Sequence, residues 1–398
     1  MSLSRYSYRY PRLAPQKELT VHKFCNSKHR SGLVMASMIA MLHHIQEVPM
    51  KLSPAVTCVL VLAGSVMLGP VAAQQGFTRS SNGKVQILQS NSGGDNIHII
   101  DPATNTVVGE IDGIPIPHGV TYHPDGSVYY ISNEFDHTLD VVSTETLKVI
   151  KQIPLTDGPN NVGILPGGDK VYVAIARGSG GVDVIDTVTQ TNIRHIPTLG
   201  GVHNVFVTPD GKHAVAGMIS ARTLTVIDTA TDEPIWSKRL DDGVRPMEFD
   251  INPDGSTKSI FVEVSNHHGF YVLDFETQEV VDKVLLPKLP LSQVDSDSLQ
   301  GSPSHGLART VDGEILWVAS KPHNSVYAYS LPDLELQGRV LVGHHPDWLV
   351  TTPDSRYLYA ANAGGNDVSV VDRTTMTEIA RIPVGQTPKR AHTVVLPQ

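Results

Sequence analysis

The feature that most constrains this chain is a pattern that returns seven times from Gly83 onward. In each copy a β-branched or aromatic pair runs into a short turn, most often led by Asp. Examples are HIIDPATNTVVGEI (98–111), DVIDTVTQTNI (183–193), TVIDTATDEPI (225–235) and SVVDRTTMTEI (369–379). A second run, often led by Pro, ends in a Pro-Asp-Gly-type turn: PHGVTYHPDG (117–126), VHNVFVTPDG (202–211), PDWLVTTPDS (346–355). Val, Ile, Tyr and Thr alternate over four to six residues between these breaks, which is the pattern of short antiparallel strands. Gly supplies the positive φ of a tight hairpin, and Asp and Thr side chains bond to their own turn backbone. The copies recur every 42 to 44 residues except across 253–311, where about fifteen extra residues intervene. Four short strands fit one period, so each copy is a blade and the chain reads as an all-β, seven-bladed β-propeller. The seventh copy stops after one strand, RAHTVVLPQ (390–398), and the first begins with KVQILQS (84–90). The C-terminal strand is therefore expected to become the innermost strand of the first blade, so that the ring closes without a free edge.

The N-terminus reads differently. Met50-Lys51, an apolar run from Ala55 to Leu68 and small residues at Val71 and Ala73 form a secretory signal over 50–73, cleaved near Ala73/Gln74. The run is too short for a spanning helix, which needs ~20 apolar residues. Met50 reads as a better start than Met1, and 1–49 as a dispensable or mis-assigned extension. Residues 74–82 form a short leader and 83–398 the propeller, with an insertion at about 287–303. The expected product is a periplasmic or secreted monomer with no stable membrane insertion. Both cysteines, Cys25 and Cys58, lie before the cleavage site. The mature chain then has no disulfide and no thiolate chemistry. It would hold 23 Lys/Arg against 38 Asp/Glu, because the first 73 residues take eight of the 31 basic and two of the 40 acidic groups. A net charge of −15 repels phosphate backbones and excludes nucleic acid as a partner.

The repeats resemble the YVTN β-propeller family of bacterial extracytoplasmic proteins. Tyr172-Val173 within VYVAIA, YLYAAN (357–362) and the Pro-Asp-Gly turns carry the resemblance, which spans about 83–398. It implies the fold. It implies little about function, because the family includes binding proteins, biosynthetic factors and enzyme-like members.

In a blade of this kind, the starts of the innermost strands and the loops between second and third strands share one face. Alignment of the copies places His118, Asn160, His203, Met247, His305, Asp347 and His392 there, one per blade. Loops of the same face add His137, His267, His268 and His323, with His345 beside Asp347 and Arg222 at the rim. Four imidazoles on one channel, His118, His203, His305 and His392, suit a single copper, iron or zinc ion. The same residues also suit plain packing around the channel. Three functions follow. The first is an exported protein that binds a small molecule or another exported protein through this His-rich face. The second is a metal-dependent oxidoreductase or oxygenase using the four-His site. The third is a lactonase-like hydrolase, for which Glu134, Asp347 and Arg222 are the nearest candidates. The insertion lies on the same face and reads either as a lid or partner-binding arm or as disordered chain.

Overall fold

The computed structural model describes residues 83–397. The proposed signal segment and its flanks lie outside the described residues.

Among the described residues there are seven sheets of four antiparallel strands. Blade one consists of Pro388–Leu396, Lys84–Asn91, Asn96–Asp101 and Thr106–Asp112, listed from the axis outward. The innermost strands of blades two to seven are Pro117–Tyr122, Pro159–Ile164, Val202–Val207, Val244–Ile251, Leu307–Arg309 and Pro346–Thr351. Each later strand in a blade pairs with the one before it, so every sheet is a meander. Ring closure follows the sequence expectation. Pro388–Leu396 pairs antiparallel with Lys84–Asn91, from Lys84 opposite Leu396 to Asn91 opposite Pro388.

The turns form as their residues dictate. Asp125 Oδ1 accepts the Ser127 N–H at 2.8 Å, and Gly126 takes φ 79°. In the outer turns Asp186, Asp228 and Asp274 each accept both the N–H and the hydroxyl of the Thr three residues on, at 2.7–2.9 Å. These bonds satisfy turn backbone that no strand neighbour reaches.

The core is divided among the blade interfaces. Seven apolar clusters each straddle one pair of neighbouring blades. The cluster that closes the ring joins Ile87, Ile100 and Ala391 of blade one to Tyr359, Val368 and Val370 of blade seven. Outer strands are largely exposed: Thr106–Asp112 buries only Ile111 of its seven residues. Burial is greatest in the second and third strands of a blade, and each innermost strand pairs along its length with a buried second strand, which holds it rigidly enough to position side chains. Among the described residues no helix is long and apolar enough to cross a membrane.

The insertion is built, with two short 3₁₀ turns, Leu291–Gln293 and Ser296–Ser298. The Asp295 N–H donates to Pro322 O at 2.7 Å, and Gly301 exchanges bonds with Asn266 through both its N–H and its carbonyl. It therefore lies fastened against the blade loops.

Candidate functional site

Strand register decides which side chains face the channel mouth together. Pro117, Pro159, Val202, Val244, Pro346 and Pro388 each sit opposite the last residue of the neighbouring strand, and a bulge follows. The next residue is therefore equivalent in each blade: His118, Asn160, His203, Arg245, Asp347 and Lys389. In blade six, Leu307 opposite Val318 matches Val120 opposite Ile131, which puts His305 at the same level. Five of the seven expected positions are brought together and two are displaced. Met247 lies two residues past Arg245 and packs among Val244, Val262 and Val264 in the interface core. His392 lies three residues past Lys389, opposite Leu88, with its ring 5.8 Å from Tyr122. The structure does not gather the four imidazoles expected of a metal centre.

What occupies the middle is Arg390, 2% exposed. Its guanidinium stacks over Trp348 at 4.2 Å and bonds through one terminal nitrogen to Asn160 Oδ1 (3.2 Å) and Asn204 Oδ1 (3.4 Å). The other terminal nitrogen lies 3.7 Å from Asp347 Oδ2, too far for a hydrogen bond. That nitrogen and Nε have no hydrogen-bond partner among the described residues. Burial lowers the guanidinium to about 10, still charged at neutral pH.

Three imidazoles surround this cation, and all are neutral at pH 7. His305 donates Nδ1–H to the Asp347 carbonyl at 2.9 Å, which leaves Nε2 with the lone pair. His203 Nδ1 accepts from Asn204 Nδ2 at 2.5 Å, and the rings of His203 and His305 meet edge to face at 5.7 Å. His118 Nδ1 lies 3.3 Å from Glu134 Oε2, within ion-pair range but without hydrogen-bond alignment. Burial lowers His118 and His305 to about 4 and His203 well below its usual value. Gly follows two of these imidazoles because the inner strands touch there. A Cβ on Gly119 would meet Val162 N at 2.7 Å. Gly306 takes φ 142° and donates its N–H to Glu263 Oε2 at 2.7 Å.

The carboxylates divide by environment. Burial pushes Glu263 well above the usual carboxylate range, and its Oε1 has no hydrogen-bond partner among the described residues. Burial also pushes Asp347 upward, but the surrounding positive groups, His305 first and then Lys321 and Arg390, hold it well below. Since His305 is itself neutral at pH 7, Lys321 and Arg390 carry that effect there. Glu134, opposed by burial, is held at about 2 by His118 and Arg177. Arg245, Lys321, Lys389 and Arg390 thus exceed the ionised carboxylates Asp347 and Glu134. The channel mouth is locally positive inside an acidic protein, which favours an anion and opposes a metal cation among these imidazoles.

The loop residues have local roles. His268 and His323 pack edge to face at 4.5 Å, with bonds to Ser320 and Tyr327. His267 bonds Val284 O, exposed His137 faces Asp157, and Arg222 bonds Asp241 O at the rim. His345 turns away from the axis toward the insertion, where its Nε2 meets Asp295 and Ser298.

The buried imidazoles make stability pH-dependent. A histidine at about 4 in the fold and about 6.5 in the unfolded chain binds its proton more weakly when folded. Stability is therefore complete above pH 6.5 and falls as pH drops toward 4, by up to about 1.4 kcal/mol per unit for each such group. His118 and His305 together should cost on the order of 6 kcal/mol across that interval, with His268 and His323 adding in the same sense. Denaturant titrations at pH 7.5, 5.5 and 4.5 check this; equal midpoints at all three would show that these rings are solvated.

No family model and no curated protein sequence matches the chain, so the repeat resemblance rests on the residues quoted for it. Solved structures do match. The hydrazine synthase of Kuenenia stuttgartiensis is 22% identical, with TM-score 0.62, over 76% of this chain and 99% of that one. The periplasmic gluconolactonase of Pseudomonas aeruginosa is 18% identical, with TM-score 0.63, over 79% of this chain and all of that one. A dihydro-haem d1 dehydrogenase is 16% identical, with TM-score 0.55, over 78% of this chain and 68% of that one. At such identities the likeness shows the fold alone, a β-propeller.

Proposed function

We infer that this chain is an exported propeller that binds a small organic anion at the mouth of its channel. One observation carries the reading: a buried guanidinium, Arg390, with Nε and a terminal nitrogen that make no hydrogen bond among the described residues. A desolvated cation with unmade bonds is costly to hold unless a ligand completes it, and a carboxylate does so with two parallel N–H···O bonds. Around it, neutral His118, His203 and His305 offer hydrogen bonds without competing charge. Arg245, Lys321 and Lys389 draw an anion inward past an acidic exterior. The resemblance to YVTN proteins, which include binding proteins, supports the same reading, as does the secretory signal read at 50–73.

A thermal-shift panel of hydroxy acids, sugar acids, dicarboxylates and phosphate esters in low-salt buffer at pH 7 tests it. At least one acid should raise the melting midpoint by several degrees, and its amide or methyl ester should not. A panel without any responder, or an ester that works as well as its acid, would dispose of the reading.

A second reading is favoured by His305. Its Nδ1–H is fixed on a backbone carbonyl, so Nε2 stands as a base beside Arg390. Such a pair could open a lactone: Nε2 takes a proton from the attacking water and returns it to the ring oxygen as the ring C–O bond breaks, while Arg390 holds the developing oxyanion. Acid release from five- and six-membered sugar lactones, abolished in His305→Asn, would favour it over simple binding.

A further inference from the structure

We propose that Asp295, His344 and His345 form a second, separate site: a divalent transition-metal centre, best suited to zinc, that staples the insertion to the loop between blades six and seven. Nε2 of His344 and Nε2 of His345 both lie 3.0 Å from the same oxygen, Asp295 Oδ2. Among the described residues, no other set of three such groups brings its donor atoms so close together. In a tetrahedral site with bonds of about 2.0–2.1 Å, neighbouring donors stand about 3.4 Å apart. A shift of a few tenths of an ångström would therefore admit an ion.

The arrangement needs a particular backbone. Consecutive residues in an extended chain point to opposite sides. His345 instead takes φ 53°, and this brings the two rings onto one side, stacked at 3.9 Å. A β-substituted residue held at positive φ is uncommon and persists where its surroundings fix it. Here Asn324 Oδ1 accepts the His345 N–H at 2.9 Å, while the carbonyls of His344 and His345 accept N–H bonds from Gly364 and Ala363. Gly364 also makes room for the His344 ring, since a Cβ there would meet Nδ1 at 2.4 Å.

The carboxylate is oriented as well. Asp295 caps the turn Ser296–Ser298, and its Oδ1 accepts the Asp297 N–H at 3.1 Å, which turns Oδ2 to the imidazoles. The Ser298 hydroxyl, 2.6 Å from His345 Nε2, would pass its hydrogen bond to a water in the fourth position. Two imidazoles and a carboxylate with one open position suit zinc, and also take cobalt or copper. Oriented outer partners of this kind set metal affinity as much as the ligands do. The ligands come from segments about fifty residues apart, so an ion would fix the insertion over the face that carries the channel mouth.

The test uses tag-free mature protein, stripped with chelator and titrated with zinc at pH 7.5, with cobalt as a spectroscopic probe. One equivalent should bind, with visible absorption of tetrahedral cobalt, and zinc should slow proteolysis within 287–303. His345→Ala and Asp295→Ala should each lower zinc affinity at least 100-fold. Asp295→Asn, which keeps the turn cap, should lower it at least tenfold. His213→Ala, whose ring in blade four packs on Phe275 of blade five, should leave it unchanged. Melting in chelator should be the same for all variants, which separates loss of ligand from loss of fold. No stoichiometric zinc, or zinc that survives in His345→Ala and is lost in His305→Ala, would overturn the proposal. The second result would put the ion among the channel imidazoles.

Discussion

Deleting residues 388–398 should abolish the cooperative fold. The strand Pro388–Leu396 supplies the whole inner edge of blade one, and its residues enter two blade interfaces: Ala391 toward blade seven and Val394 toward blade two. Without it, Lys84–Asn91 becomes an open, buried edge with a row of unsatisfied N–H and C=O groups. Loss of a Val and other apolar burial and of the strand's hydrogen bonds sums to roughly 10 kcal/mol, comparable with the entire stability of a typical domain. Guanidinium unfolding followed by near-UV circular dichroism is the check. The shorter deletion 393–398 keeps Arg390 and should retain a transition at a clearly lower midpoint. If removing 388–398 left the midpoint within about 0.2 M of the full chain, blade one would have to close some other way.

The second large effect concerns Arg390 alone. Arg390→Met should lower affinity for the bound anion at least 100-fold, about 2.7 kcal/mol. It should change stability little, or raise it. The side chain keeps its length and its packing on Trp348, while a buried cation with two nitrogens that make no hydrogen bond among the described residues is removed. Replacement of incompletely satisfied buried charge by apolar atoms is often neutral or favourable. Asp347 keeps Lys321 as its counter-ion, so no carboxylate is stranded. Titration calorimetry and melting of the same preparation separate the two quantities. A variant that melts much lower and binds as before would make Arg390 a structural plug.

The contrast between these residues shows what the chain discloses in one dimension. The blades were legible because most of them repeat a Pro-Asp-Gly-type turn or an Asp-Xaa-Xaa-Thr turn, and a turn is a local event. Five channel positions were legible for the same reason. Arg245 and Lys389 were missed because Met247 and His392, the residues expected in their place, lie further along the same strands. The residues that mark the start of those strands are Val244 and Pro388. Only the folded backbone shows that these starts are equivalent: Ile116, His345 and Thr387 all take positive φ just before a strand-opening Pro. Arg390 gave no signal of its own, since a lone Arg in a terminal strand reads as an edge charge. Its burial is a product of closure, which joins positions some 300 residues apart. Asp295 and the His344-His345 pair were equally illegible as a group, because only the fold brings the insertion across to that loop.

An acid group is expected to complete the hydrogen bonds that Arg390 does not make among the described residues. A crystal structure of the mature protein with the strongest acid from the thermal-shift panel tests it most directly. The account predicts the acid group within about 3 Å of the Arg390 nitrogen that now lies 3.7 Å from Asp347, with the rest of the ligand among His118, His203 and His305. An acid group found on the outer strands, or at the rim beside Arg222 with Arg390 unchanged, would contradict it.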